Sequence, residues 1–403
     1  MCKPAIETGP PAAVQADGKV TMADSSPIRR AQSCAADARQ AVREFHAAVQ
    51  QPEMALVLFF CSSQYALDEV ADEMKRLFAG VLVAGCTTAA EIGPAGHRVH
   101  SLSGASFAKA GFEVAGARID DLRNFELAPA QALIAKTGSP LPSAAPMQRF
   151  ALLLIDGLAQ REEQVARVLQ AALGSVPLVG GSAADDLAFA DARVFWDGGF
   201  QAGSAVLLLG ATVLPFKVFS TQDVVAGERR LVVTRADAAS RRALQIDGRP
   251  AVQAYADLVG VPVHELGPSC FATSPLAVLI EGSSYVRAIR SANADGSLSF
   301  HSAIEEGLVL RLARSVDMVQ NLAQCMASIR AEIGPPQLLI GFDCILRRFE
   351  MQRQALAPAI EALLRDNSSI GFGGYGEQYW GVHVNQTLSG IAFGDASGPA
   401  HHG

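Results

Sequence analysis

Charge is scarce in this chain. Only 18% of its 403 residues are Asp, Glu, Lys or Arg, against 50% that are hydrophobic, a balance that suits a globular protein with a sizeable buried core. There is no basic excess: the net charge is −7 and the pI is near 5.7, which opposes a broad nucleic-acid footprint. Cysteine pairing is missing too. The seven cysteines are odd in number and scattered, with no Cys-x-x-Cys, which argues against a disulfide framework and a structural zinc site. No apolar run reaches the roughly 18 residues that a membrane span needs, so no membrane insertion is expected. The opening Met1-Cys-Lys-Pro-Ala-Ile-Glu-Thr-Gly-Pro-Pro lacks the apolar centre of a secretory signal, and a cytoplasmic location is the expectation.

What the chain does have is a unit used three times: an apolar run, a helix-like stretch, a second apolar run and a glycine-rich turn. The first copy starts at Met54-Ala-Leu-Val-Leu-Phe-Phe60, passes a helical pattern over 65–78, and returns as Val81-Leu-Val-Ala-Gly-Cys-Thr-Thr-Ala-Ala-Glu91. The second has Phe150-Ala-Leu-Leu-Leu-Ile-Asp156, a stripe of Val165, Val168, Leu169 and Leu173, and Val176-Pro-Leu-Val-Gly-Gly-Ser-Ala-Ala-Asp-Asp186. The third has Gln337-Leu-Leu-Ile-Gly-Phe-Asp343, a helix with Leu356, Ile360, Leu363 and Leu364, and Ser369-Ile-Gly-Phe-Gly-Gly-Tyr-Gly-Glu377. Each turn leads back into an apolar strand. Two of these strands, Ser101-Leu-Ser-Gly-Ala-Ser-Phe107 and Thr387-Leu-Ser-Gly-Ile-Ala-Phe393, are nearly one string. Self-similarity of this kind reports architecture. Strands alternating with helices predict an α/β fold. Because every repeat adds a strand after its glycine turn, mixed sheets flanked by helices are expected, not a plain doubly wound sheet.

The length predicts a two-module chain. Residues 1–27 read as a disordered tail, 28–246 as the N-terminal module, 247–395 as the C-terminal module, and 396–403 as a second tail. The break is placed at the Asp247-Gly248 turn. Residues 28–51 read as helical, with Ala38, Val42, Phe45 and Val49 on one stripe. Residues 112–119 read as a strand, 125–135 as a short helix, and 137–146 as a loop by their proline and glycine. Residues 211–300 carry short strands around a helix at 251–259 that opens on Pro250, and 311–333 read as helical.

The glycine turns are the first candidates for chemistry. Gly85-Cys86-Thr87-Thr88 and Gly180-Gly181-Ser182 end strands and lead to acids, Glu91 in one case and Asp185 or Asp186 in the other. Glycines there permit positive φ and the close approach of a ligand or another backbone. One reading is a binding crevice formed by Gly85, Cys86, Thr87, Glu91, Gly181, Asp186, Tyr375 and Glu377. The other is tight packing where repeats meet. Neither turn fits a phosphate loop or a dinucleotide fingerprint. Cys86 lacks the local pattern of a nucleophile and reads as a packed small side chain, so no catalytic residue is assigned. The histidines His97, His100, His264, His301 and His383 lie in or beside loops and form no zinc pattern. A single neutral imidazole can, however, serve as a haem iron's only protein ligand.

Together and in order, Ala84-Gly-Cys-Thr-Thr-Ala-Ala-Glu-Ile-Gly93, Val179-Gly-Gly-Ser-Ala-Ala-Asp-Asp186, Arg230-Leu-Val-Val-Thr-Arg-Ala-Asp237, Ile246-Asp-Gly-Arg-Pro-Ala251 and Gly373-Gly-Tyr-Gly-Glu377 resemble the FIST sensory domain. The resemblance spans roughly residues 50–395, with Ala90 where a glycine is common in that family. It implies an N-terminal and a C-terminal FIST module and a ligand-sensing, non-enzymatic role in signal transduction. Stand-alone bacterial members of this size look like nitric-oxide-sensing haemoproteins. That likeness rests on the undecorated architecture and on Met54-Ala-Leu-Val-Leu-Phe-Phe-Cys-Ser-Ser63, Phe150-Ala-Leu-Leu-Leu-Ile-Asp-Gly157 and Ile304-Glu-Glu-Gly-Leu-Val-Leu310.

The subgroup implies haem b as cofactor, nitric oxide bound at ferrous haem, and regulation of a partner sensor histidine kinase in two-component circuits of biofilm or quorum sensing. Self-association into a homodimer is open. The expected haem ligand is His100, because it precedes the buried strand at 101–107, with His97, His264, His301 and His383 as alternatives. The other reading is a haem-free FIST module that binds a small metabolite such as an amino acid, using the glycine turns with Glu91, Asp186 and Glu377.

Overall fold

The apolar runs at the heart of the three repeats alternate their side chains between two cores. In a computed structural model that describes residues 26–138, 147–280 and 283–395, Leu56, Leu58 and Phe60 enter one core and Val57, Phe59 and Cys61 another. The second copy does the same with Leu152 and Leu154 against Leu153 and Ile155. The third sets Ile340 and Phe342 against Leu339. A strand covered on both faces needs an apolar residue at every position, so these runs show no polar alternation.

The first repeat comprises β1 (Ile28–Ser33), α1 (Ala38–Val49), β2 (Met54–Ser62), α2 (Leu67–Leu77), β3 (Val83–Thr88), the hairpin β4 (Ala90–Gly93) and β5 (Gly96–Arg98), and β6 (Leu102–Ala108). The second has β7 (Phe112–Ile119), α3 (Leu127–Gly138), β8 (Gln148–Asp156), α4 (Glu162–Leu173), β9 (Leu178–Ala183), the hairpin β10 (Val194–Trp196) and β11 (Gly199–Gln201), and β12 (Ala205–Thr212). The third opens with β13 (Phe216–Ser220) and is interrupted by an inserted sheet. That insertion contains β14 (Val224–Asp237), β15 (Arg242–Ile246), β16 (Arg249–Pro250), α5 (Ala251–Val259), α6 (Pro268–Thr273), β17 (Leu276–Ile280), β18 (Ser283–Arg287), β19 (Ile289–Ala292), β20 (Leu298–Phe300) and β21 (Val309–Ser315). The repeat resumes with α7 (Met318–Ile333), β22 (Leu338–Cys344), α8 (Ile345–Arg353), α9 (Ala357–Asp366), β23 (Ser369–Gly374), the hairpin β24 (Glu377–Tyr379) and β25 (Val382–Val384), and β26 (Leu388–Phe393).

The three sheets have one order: β1-β6-β2-β3-β10-β11, β7-β12-β8-β9-β24-β25, and β13-β26-β22-β23-β4-β5. In each, the middle pair is parallel and the last two strands are a hairpin lent by another repeat. The second repeat completes the first sheet, the third completes the second, and the first completes the third. This cyclic exchange ties the two ends of the chain together. The inner faces meet in a core with Phe60, Phe107, Phe150, Phe342, Phe372 and Phe393, and the helices cover the outer faces. Arg241, at the turn between β14 and β15, pins the insertion to the start of α4 through Glu162 (2.6 Å) and Glu163.

Some local expectations change. Residues 28–33 form strand β1, paired with β6, although the stripe Ala38, Val42, Phe45 and Val49 is buried in α1 as predicted. Residues 311–315 belong to β21, and the following helix starts only after Asp317, whose side chain caps Gln320 N at 2.9 Å. With only Ile28 and Ala31 apolar in one stretch and Leu312 and Ala313 in the other, neither period is set locally, and sheet pairing decides. The helical region of the third repeat is two helices, parted near Ala355 at φ +53°. The Asp247-Gly248 turn joins β15 to β16, while strands on either side of it share sheets. Of the tails expected at 1–27 and 396–403, only Ser26 and Pro27 are among the described residues, and most of the 137–146 loop lies outside them.

Gly180 and Gly371 stand where parallel strands touch: a Cβ would overlap the carbonyl oxygen of Leu153 or of Gly341. Gly180→Ala should therefore lose about 1–3 kcal/mol in urea denaturation. Gly199→Ala, where a Cβ meets nothing within 4 Å, should change stability by less than about 0.5 kcal/mol. Equal effects at the two positions would refute this account of the glycines.

Candidate functional site

The three glycine turns converge and hydrogen-bond to one another in a ring. Ala89 N donates to Gly373 O (2.9 Å), Ala184 N to Thr87 O (3.0 Å), and Tyr375 N to Ser182 O (3.2 Å). The strand register makes these positions equivalent, since Gly85, Gly180 and Gly371 face Phe59, Leu153 and Gly341 in the same way. Packing of turn on turn thus accounts for Gly85 and Gly181. A Cβ on Gly85 would overlap Phe59 O, and one on Gly181 would sit 2.6 Å from Phe372.

The same register aligns Glu91 with Glu377, and puts Val194 at the corresponding place in the second repeat. The two carboxylates differ in how they are satisfied. Glu91 Oε2 accepts from Ser101 N (2.9 Å) and Ser101 Oγ (2.7 Å), and Oε1 accepts from Thr88 Oγ1. Glu377 Oε2 accepts from Thr387 Oγ1 (2.7 Å), but Oε1 has no partner among the described residues. The residue equivalent to Thr88 is Gly374, which has no hydroxyl to offer.

Around Glu377 lies a buried polar cluster. Arg347 Nε donates to Asp343 Oδ1 (2.6 Å), Nη1 pairs with Asp223, and Nη2 has no partner among the described residues. His97 Nε2 lies 3.6 Å from Asp343 Oδ2. Burial pushes the Glu377 carboxyl well above its ordinary value, with Asp343 adding to the rise while Thr387 and Arg347 oppose it. Burial pulls Arg347 down to about 10, against the pull of Glu377 and Glu350. A chain of hydroxyls leads outward from the carboxylate: Thr387 Oγ1 to Ser389 Oγ at 3.0 Å, then to Ser220 Oγ at 2.8 Å. Thr387 and Ser220 line a crevice of about 170 Å³ between the third repeat and β18 of the insertion, with Gln386, Asn385, Gln222 and Tyr285. This arrangement can bind a small polar molecule; nothing in it activates a nucleophile.

A family model for the FIST N domain matches residues 55–249, and one for the FIST C domain matches residues 251–380. The chain belongs to the FIST family. No curated protein matched it in a sequence search. FIST domains are sensory modules of signal transduction. In this FIST chain the matches meet in β16, yet β4 pairs with β23 and β24 with β9, so the N and C domains share sheets.

The structure separates the other predicted residues. Cys86 is fully buried and burial drives its thiol well above the usual range, away from the thiolate that a nucleophile needs. Thr87 Oγ1 accepts from Arg193 N at 2.9 Å. Tyr375 bonds to Asp185, not Asp186. The Asp185 carboxylate also accepts from Phe189 N (3.0 Å), Ala190 N (2.6 Å) and Asp191 N (2.7 Å). Asp186 instead lies near Arg348 (3.7 Å) and Gln64 (3.4 Å). Arg347 stands out in the sequence beside Arg348 as part of a polar face of the third repeat, but its partners Asp223 and Asp343 do not, although an Asp and an Arg four residues apart at the end of an apolar run are a usable signal.

Haem is the cofactor that the family resemblance implies, and the five histidines test its fit. His100 sits at φ +60° with Nε2 3.1 Å from Ala36 O and its ring against Tyr65. His97 faces Asp343, and His264 has its side chain 82% exposed beside Glu265. His301 is stacked on Tyr375 and tilted against Phe189; burial, with help from Arg290, holds it down to about 3. His383 is likewise neutral, lowered to about 4 chiefly by burial. Its Nε2 lacks a partner, but points into the space that a Cβ on Gly376 would fill. Of the five rings, His97 and His383 keep a nitrogen with no hydrogen-bond partner among the described residues, and His383 borders a groove beside Trp380 and Val382, so His383 is the ring that could hold a haem iron.

Burial raises the Glu91 carboxyl to about 8, against the opposing bonds of Thr88 and Ser101. The folded chain keeps this proton up to about pH 8, whereas an ordinary carboxyl, at 4.5, releases it far earlier. This group's contribution to stability is therefore full in acid and is lost as the pH climbs through that window. Denaturation midpoints measured from about pH 5 to pH 8 should fall more steeply for the wild type than for Glu91→Gln, and parallel profiles would contradict the raised value.

Proposed function

We propose that this FIST protein is a sensory module for a small zwitterionic metabolite, such as an amino acid, held at Glu377. One observation carries the reading: a buried carboxyl oxygen, Glu377 Oε1, and a buried guanidinium nitrogen, Arg347 Nη2, both lack partners among the described residues and each shifts the other's titration. Buried polar atoms are normally satisfied, so an orphan acceptor and an orphan cationic donor in one cluster match the two ends of a zwitterion. Thr387, which donates to Glu377, also lines the crevice, so the cluster lies one side chain behind it. Because the crevice lies between the third repeat and the insertion, a ligand there would bear on how the two pack, and a change in that packing would carry the signal.

The test is a thermal-shift panel of free amino acids and small amines. A true ligand at 100 times its Kd should stabilise by about 2.7 kcal/mol, and Glu377→Gln should abolish that response while keeping the unliganded melting temperature within a few degrees. A panel with no response would end this reading. The second reading, a haem b sensor of nitric oxide that regulates a sensor histidine kinase, has the unpartnered neutral ring of His383 in its favour. It predicts a stoichiometric Soret band that shifts with reduction and again with nitric oxide, and that His383→Ala removes. A protein that stays colourless with added haem would exclude it.

A further inference from the structure

We propose that the tip of the β24–β25 hairpin, with the face of α4 beneath it, docks an acidic, apolar-bearing segment of a partner protein. The first support is an unfavourable residue choice. Trp380 and Gly381 turn the hairpin with φ of +49° and +78°, the two positive values of a type I′ turn, whose first central position favours Asn, Asp or Gly. The equivalent hairpin, β10–β11, turns on Asp197 and Gly198 with φ of +51° and +79°. A tryptophan in the left-handed region is strained, and such strain persists where it serves a function.

The second support is exposure and charge. Trp380 is 42% exposed and Val382 39%, and they border a groove of about 580 Å³ shared with Gln164, Arg167 and Arg287. The tip is held against α4, since a Cβ on Gly381 would lie 2.6 Å from Gln170 Cβ. Arg167 makes no ion pair among the described residues, and the buried Nε of Arg287 has no partner there. Glu163, the acid of the groove, is already engaged by Arg241 and by Ala303 N. The groove's free charge is thus positive on a chain whose net charge is −7. Tryptophan and arginine together are the residues that dominate binding hot spots, and their free charge calls for carboxylates on the partner. The inference rests on the sensory reading only in that a signalling module needs an output surface; it does not depend on which ligand is sensed.

The experiment uses the full chain and a fluorescent helical peptide carrying Leu and Phe on one face and Glu on the other, with a Lys-for-Glu peptide as control. The Glu peptide should bind at least about tenfold more tightly than the Lys peptide, and Trp380→Asn and Arg167→Glu should each weaken it by about tenfold or more. Because Asn relieves the turn, Trp380→Asn should melt no lower than the wild type, and its response to the amino-acid panel should persist. Equal binding of both peptides, or undiminished binding by Trp380→Asn, overturns the proposal. So does a wild-type dimer that Trp380→Asn splits, or haem uptake in the groove that His383→Ala abolishes.

Discussion

Backbone touches backbone near the centre of this molecule, and the arrangement of everything else follows from that contact. Parallel strands approach so closely at Gly85, Gly180 and Gly371 that a Cβ would overlap a facing carbonyl. Just beyond, the three turns bond to one another in a closed ring. A buried N–H or C=O left without a partner is costly, so each turn can satisfy its own groups only with the next repeat in place. The hairpin exchange follows from the same geometry. Once a turn has crossed to its neighbour, the hairpin that it launches lies against the neighbour's sheet edge and covers it, and an uncovered edge is a liability.

A frame built on three equivalent units makes departures from equivalence informative. Glu91, Val194 and Glu377 hold one position in three versions. The first is closed by its own threonine and serine, and the second has lost its polar group. The third is left with an oxygen that has no partner among the described residues, in a cluster with an arginine that has one such nitrogen. The hairpin tips diverge likewise, with Asp197-Gly198 the relaxed choice and Trp380-Gly381 the strained one. Both departures are in the third repeat, which is also the one split by the insertion. The repeat that departs from the symmetry thus carries both the proposed ligand site and the proposed docking tip, and the two other repeats supply the frame around them.

Much of the frame was legible in the chain. The apolar runs, the α5 helix opening on Pro250, the Asp247-Gly248 turn and the threefold recurrence of strand, helix and glycine turn all rest on local chemistry, and local chemistry is written in local sequence. β1 and residues 311–315 of β21 were not legible, because two apolar residues in so short a stretch fix no period until a neighbouring strand chooses; the split between α8 and α9 rests on the positive φ of Ala355. The candidate site was half legible. Glu377 and Tyr375 stood out beside their glycines, whereas Asp223, Asp343 and Arg347 come together from the β13–β14 link, β22 and α8. Asp185 and Asp186 are adjacent in sequence, and only the fold sends one to Tyr375 and the other toward Arg348.

The sequence by itself determined the repeat, the family and the α/β class, since each depends on patterns of side-chain type that persist along the chain. The tertiary structure alone decided which repeat's hairpin completes which sheet, how Asp223 reaches Arg347, and where each imidazole nitrogen points. Those outcomes depend on the positions of hydrogen-bond donors tens to hundreds of residues away, and a bond of about 3 Å distinguishes partners that no spacing in the sequence can.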